Sequence, residues 1–208
     1  MTPTTTRKRA ARGEGDLLRE EILSAAEHIL VETSSEDAVS IRAVADAVGV
    51  TPPSIYRHFT DKNQLMFEVC GRSFSELDRV ITETAVSEDP FETLDAIARV
   101  YVRFGLDHPE HYRIMFMSRG DAVPEDFDEH MLTGTSAFGR LLETCERVLA
   151  TGEVRPEIAA RGVMPMAMLV WSQVHGLTSL MVAKPSAPWP DLDVMLELLF
   201  DVVRSGIT

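Results

Sequence analysis

Cysteine is nearly absent from this 208-residue chain. Cys70 and Cys145 stand far apart without metal-ligand spacing, which excludes a disulfide-stapled secreted scaffold. Basic residues are the minority, 20 Lys and Arg against 33 Asp and Glu, for a formal charge of −13. So acidic a chain does not adhere to nucleic acid indiscriminately, and such a partner must be met by a local basic patch. Glycine-rich phosphate loops, a nucleophile elbow, zinc signatures and internal repeats are all lacking. An enzyme is therefore not expected, and neither is a cofactor. No apolar run follows the polar N-terminus, so the expectation is a cytoplasmic protein without a signal peptide. Residues 162–183 contain no Asp, Glu, Lys or Arg and approach the length that spans a bilayer. Pro165, Ser172, Gln173, His175, Thr178 and Ser179 interrupt that stretch, and such a polar load is costly in lipid. A buried or interface helix is expected there, not a membrane span.

What remains is ordinary globular composition, 45% hydrophobic and 25% charged. The first residues form a polar arm, expected over 1–15, with Arg7, Lys8, Arg9 and Arg12 too solvated to pack. Residues 1–60 hold 7 basic and 9 acidic side chains, whereas residues 61–208 hold 13 and 24. The acidity belongs to the later two thirds, which points to two jobs in one chain.

Helical periodicity runs nearly throughout. Ile22, Ala26, Ile29 and Leu30 share one face, with Glu20, Glu21, Glu27 and Glu32 on others. Ser40 caps a short helix carrying Ile41, Val44, Ala45 and Val48, which Gly49 stops. Thr51 caps the next, with Pro52 at the first helical position, where a missing N–H costs nothing. A long helix opens after Asp61 through Leu65, Met66, Val69, Cys70, Phe74, Leu77 and Ile81. Asp89-Pro90 begins another, His108-Pro109 breaks it, and a short helix carries Tyr112, Met115 and Phe116. Gly120 to Pro124 reads as a loop, and a helix with Leu132, Phe138, Leu141, Leu142 and Val148 runs to Gly152. The helix begun at Arg155-Pro156 should kink at Pro165. After the turn Lys184–Pro190 a last helix covers about residues 191–205. The expectation is an all-α fold of about nine helices.

Residues 40–62 read as two short helices around the turn Val48-Gly49-Val50, with small or branched residues inside and a polar outer face. That is helix-turn-helix chemistry, and its outer face suits a major groove. The stretch resembles the N-terminal domain of the tetracycline-repressor (TetR) family. The likeness rests on Ile41-Arg42-x-Val44-Ala45, Gly49-Val50-Thr51, Ile55-Tyr56-Arg57-His58-Phe59 and Asp61-Lys62-x-x-Leu65, and with the preceding helix covers residues 16–75. The resemblance implies a transcription regulator that binds double-stranded DNA at a palindromic operator, is released by a small apolar effector, and represses. It implies phosphate contacts from Arg42, Thr51, Tyr56 and Lys62, and a recognition face of Pro52, Pro53, Ser54 and Arg57. His58 is similar to a position touching the backbone or a base, and Phe59 to a core position. Pro52-Pro53 leaves few hydrogen-bond donors, so thymine methyls and DNA shape carry more of the specificity. The arm's basic residues suit minor-groove or phosphate contact, or simply solubilise.

Trp171-x-x-x-His175-Gly176 resembles the signature of the Trp-His-Gly (WHG) class of TetR C-terminal domains. Trp171 and His175 then either touch ligand or support the core or dimer seam. Residues 76–208 are expected to bind effector and to dimerise. The helix around 163–182 and the last helix are apolar around most of their circumference, so a homodimer is expected through Leu177, Leu180, Met195, Leu199 and Phe200. Met66, Met115, Met117, Met164, Met166 and Met168 beside aromatics suit either core or an adaptable apolar pocket. The candidate effector set is Phe74, Tyr101, Phe104, Phe116, Met168, Trp171 and His175. Two rival classes fit the sequence less well. His108 and His111 beside Glu110 suggest a metal, but the break at Pro109 spoils their shared face, and a DNA-free interaction adaptor does not need Arg42, Tyr56 and Lys62.

Overall fold

The computed structural model describes residues 14–84, 87–117 and 136–208. Residues 1–13 of the basic arm, the loop expected at 120–124 and Leu132 lie outside them, while Glu14 and Gly15, expected in the arm, open the first helix. Among the described residues the chain forms ten α-helices, one 3-10 turn and no strand. They are α1 (Glu14–Thr33), α2 (Ile41–Val48), α3 (Pro52–Ile55), α4 (Lys62–Thr84) and α5 (Pro90–Asp107). Then come α6 (Pro109–Met117), α7 (Ala137–Ala150), α8 (Pro156–Ala159), α9 (Val163–Ala183) and α10 (Leu192–Ile207). The 3-10 turn is Glu36–Ala38, between α1 and α2.

The helices divide into two compact units. The first holds described residues 14–73 together with 110–117, so α6 packs with the N-terminal helices, although the expected division at 75/76 separates them. The second holds 74–84, 87–109 and 136–208. α4 contributes its first half to one and its second half to the other.

The first unit is assembled around Ile22, Leu23, Ala26 and Leu30 of α1, Val44 and Ala45 of α2, and Ile55 of α3. Phe59, Leu65, Met66 and Val69 join them, and α6 adds Ile114. Local signals set the element ends. The Ser40 hydroxyl accepts from the Ala43 N–H at 3.1 Å, supplying an orphan amide of α2 with a partner. Gly49 takes the left-handed conformation, φ 75°, and turns the chain from α2 towards α3. A side chain at that φ costs about 1–2 kcal/mol. Gly49→Ala is therefore expected to lower the urea midpoint of the protein by an amount of that order, while Gly49→Asn, which tolerates the conformation better, recovers part of it. Ion pairs fasten α1 to α4, where Arg19 meets Glu68 and Arg72 meets Glu20. On α6, His111 Nε2 lies 3.1 Å from Glu27 Oε1 of α1, and Glu110 accepts from the Ser34 hydroxyl at 2.9 Å. The contact with His111 holds the Glu27 carboxyl below its ordinary range.

The second core unites Phe91 and Leu94 of α5, Leu141, Cys145 and Val148 of α7, and Met166, Ala167 and Val170 of α9. Val203 and Ile207 of α10 close it. Arg204 lies over the Phe91 ring, 4.5 Å from its centroid, and the Arg155 N–H donates to the Ile207 carbonyl at 2.9 Å. Arg99 and Arg103 of α5 reach Asp193 of α10 at 3.6 and 2.6 Å. α9 is long and apolar enough to cross a membrane by length and composition, yet Met166, Ala167, Val170, Val174, Leu177 and Val182 are buried in the unit.

One expectation about the path is corrected. Pro165 does not kink a long helix begun at Pro156, because Gly162 at φ 85° ends α8's turn and starts α9 afresh. Pro165 then falls in the first turn of α9, where a missing N–H breaks no helical bond.

Candidate nucleic-acid interface

The polar outer face expected of residues 51–58 is present. Ile55 and Phe59 are fully buried, which fixes the roll of the short segment between them. Its remaining residues are thereby turned outward: Thr51, Pro53, Tyr56 and Arg57 are exposed, and Pro52, Ser54 and His58 are half-buried. Tyr56 leaves 55% of its surface to solvent, its hydroxyl available to an acceptor or donor outside the head. The Thr51 and Ser54 hydroxyls lie 3.2 Å apart and hold each other in register. Main-chain bonds from His58 and Phe59 N–H to the Ile55 carbonyl complete the turn into α4.

Two cations flank this face. Arg42 projects from α2 and is almost wholly exposed, with only a 4.0 Å approach to the equally exposed Asp46. A surface pair of that length does little to hold a side chain. Lys62 is half-buried, and its Nζ donates to the Glu36 carbonyl at 2.7 Å. It thus anchors the start of α4 to the 3-10 turn, a tie between residues 26 apart that no local sequence signal announces. Asp61 Oδ1 accepts from the Gln64 N–H at 2.8 Å while Gln64 Oε1 accepts from the Thr60 N–H at 2.6 Å, so the entry to α4 is doubly capped.

The residues expected to read an effector are only partly brought together. Tyr101 of α5 and Trp171 and His175 of α9 form one hydrogen-bonded set: the Trp171 indole N–H donates to the Tyr101 hydroxyl at 3.3 Å, which lies 2.9 Å from His175 Nδ1. Phe138 packs edge-on against Trp171, their centroids 5.8 Å apart. Phe104 is buried with its ring 5.0 Å from that of His108, and Phe74 is half-buried. Phe116 belongs to the first unit, its ring tilted 53° against that of Tyr112 with centroids 5.0 Å apart. Met168 is 41% exposed on the outer face of α9, not turned inward with Met166.

Burial pushes the His175 pKa below its ordinary value, so the folded protein keeps the ring neutral and able to accept from Tyr101. The sign follows from linkage. Below about pH 6.5 the unfolded chain takes up a proton that folded His175 resists, so stability falls as pH drops through that value and is fully present above it. His175→Gln is expected to flatten the decline between pH 7.5 and 5.5 in urea titrations at fixed protein concentration; identical pH profiles for both proteins would contradict this.

The positions expected at the dimer seam differ in their exposure within the single chain. Leu177 is buried within its own unit, and Leu199 and Phe200 pack against the second core, because these positions face inward on their helices. Met195 is half-buried and Leu180 is exposed. The solvent-facing apolar rows are Met164, Met168, Leu169 and Leu180 on α9, and Val194, Leu198 and Val202 on α10.

A three-helix head with a turn glycine and an outward polar recognition segment defines a helix-turn-helix protein, built here into an all-helical chain. Two family descriptions match it: bacterial regulatory proteins of the tetR family over residues 22–69, and the tetracyclin repressor-like C-terminal domain over residues 94–203. The chain belongs to the TetR family and is a DNA-binding transcription regulator, of a family without catalytic activity. It is 24% identical over 183 residues to the nucleoid occlusion factor SlmA of Marinomonas sp. (strain MWYL1), covering 83% of this chain and 89% of that protein. Over 60 residues it is 38% identical to the HTH-type transcriptional repressor KstR of Mycobacterium tuberculosis, 28% of this chain and 27% of that one. Its fold is shared with a protein of unknown function from Rhodococcus sp. RHA1, with a TM-score of 0.74, 21% identity and 98% of each chain covered.

Proposed function

We propose that this regulator is a cytoplasmic homodimeric repressor whose two heads address the half-sites of a palindromic operator, and that a small effector releases it. Residues 16–75 form the DNA-binding head behind a basic arm (1–15), and residues 76–208 bind effector and dimerise, with a C-terminal domain of the WHG class. Arg42, Thr51, Tyr56 and Lys62 meet phosphates; Pro52, Pro53, Ser54 and Arg57 face base edges, and His58 touches the backbone or a base. The observation that carries this reading is the outward set Thr51, Pro53, Tyr56 and Arg57 beside exposed Arg42, on a segment pinned from behind by buried Ile55 and Phe59. The seam is formed by the exposed apolar rows of α9 and α10, with Met168 belonging to it. Two subunits joined there hold their recognition segments about 34 Å apart or slightly more, one turn of duplex.

The test is selection of bound fragments from genomic DNA, which should return a palindromic site, followed by titration of that site against salt. Each phosphate neutralised releases counterions, so log affinity falls linearly with log salt. Arg42→Ala should reduce the slope by about 1 for every sequence alike, whereas Arg57→Ala or Ser54→Ala should relax preference at single base pairs by about 1–3 kcal/mol. Lys62 is the poorer probe, since its removal also frees the Glu36 carbonyl. Unchanged slopes and preferences in all three variants would refute the assignment.

A further inference from the structure

Within the second unit a cleft of about 250 Å³ opens between the C-terminal half of α4, the first turns of α5, and α7. None of the seven residues expected to read an effector lines it. Its floor is apolar, formed by Ile81 and Ile97, both buried. Two guanidinium groups border it, Arg140 and Arg147, although this part of the chain is strongly acidic.

Each guanidinium is fixed by one edge. Arg140 Nε donates to Asp78 Oδ1 of α4 at 2.6 Å. Arg147 Nη2 donates to the carbonyls of Ser87 and Glu88 at 3.2 and 2.8 Å. A guanidinium offers five N–H donors in a planar fork that fits a carboxylate with two bonds. Both forks are thus held in place by neighbours without their donors being exhausted by those bonds. The hydroxyls of Thr82, Thr93 and Thr144, also in the lining, donate back to carbonyls of Asp78, Ser87, Asp89 and Arg140. Their protons are therefore committed to the main chain. Glu143, also in the lining, is exposed, where the high dielectric of water weakens its repulsion of an anion.

We propose that this cleft binds a small amphipathic carboxylic acid, its carboxylate on Arg140 and Arg147 and its short apolar chain on Ile81 and Ile97. The volume lies just under the roughly 300 Å³ at which sites for drug-sized ligands begin, which favours a short chain over a long one. The proposal rests on the effector reading above and names the effector's chemical class. The carboxylate takes the donors that Asp78 leaves on Arg140 and that the 87–88 carbonyls leave on Arg147, and both of those ties hold α4 or the connector that leaves it. Binding therefore bears directly on the second half of α4, the helix whose first residue is Lys62.

The test is calorimetric titration of the full chain with hexanoate and octanoate, with the matching primary amides and inorganic phosphate as comparisons. Saturable binding of an acid, at least tenfold weaker for its amide and for phosphate, and at least tenfold weaker in Arg147→Gln, is expected. Arg140→Gln is expected to behave alike, and Arg147→Gln, at an exposed position, guards against loss of fold. Equal binding of acid and amide, equal binding of acid and phosphate, undiminished binding in Arg147→Gln, or no binding of either acid overturns the proposal. Operator release is read separately. If the acid binds as described but leaves operator affinity unchanged, the cleft stands and the effector reading falls; if no operator is found, the titration is still decisive for the cleft.

Discussion

A monomer is the expected product of placing glutamate at Leu180 and Leu198 together. Both side chains face solvent in the isolated subunit, 57% and 59% exposed, so the change removes little from the subunit's own core. In the proposed dimer each is covered by the partner. Burying one leucine is worth about 1.5–3 kcal/mol, and the double substitution alters four such positions in the dimer, two from each subunit. Glutamate there forfeits that gain and sets unpaired charges in an apolar seam, which costs more still. Sedimentation at micromolar concentration should show a single subunit whose helix content matches the parent. Operator affinity should fall by about 10²- to 10⁴-fold, since the second head no longer binds as an attached group. A variant that stays dimeric with full affinity would place the seam elsewhere.

The second large effect is expected from Phe59→Ala. Phe59 is fully buried where α1, α3 and α4 meet, and Arg19 lies over its ring, 5.3 Å from the centroid. Truncating a buried phenylalanine costs about 3–5 kcal/mol. A small domain has a margin of about 5–15 kcal/mol, so the head should open often or unfold. Amide exchange should speed up throughout α1 and α2, and operator binding should be lost under conditions that saturate the parent. The second core shares none of these residues, so amides of α5, α7 and α9 should keep their protection. Phe59→Leu, which keeps most of the volume, should recover most of the binding. Intact head protection in Phe59→Ala would contradict the packing described for the first unit.

Much of the head is readable from sequence because its determinants are local. Ser40 before Ile41 and Gly49 after Val48 each fix a helix end by chemistry within one turn and act where expected, whereas Thr51 stands at the N-cap of α3 with its hydroxyl turned to Ser54 and caps no amide. His108-Pro109 likewise divides α5 from α6. What fails is of another kind. Leu177 and Leu180 are equally apolar and three residues apart, and only the packing of α9 on its neighbours decides that one is core and the other surface. A helix apolar on all sides carries no periodic signal to tell home core from partner. Met168, 41% exposed on the same helix, has the same ambiguity. The Tyr101–His175 bond joins residues 74 apart, and Arg140 meets Asp78 across 62, so neither has a local signature. The stripe Arg140, Thr144, Arg147, at i, i+4 and i+7, reads as a solvated face until α4 and α5 are set against it.

The central claim is that the Thr51–His58 segment meets duplex DNA, once from each subunit. Hydroxyl-radical footprinting on the selected operator tests it most directly. Two protected patches, related by dyad symmetry with centres about 10–10.5 base pairs or a multiple apart, are the expected result, with both patches fading in Arg57→Ala. A fully folded dimer that leaves a single asymmetric patch, or that protects the operator equally well with Arg57 and Tyr56 both replaced by alanine, would contradict it.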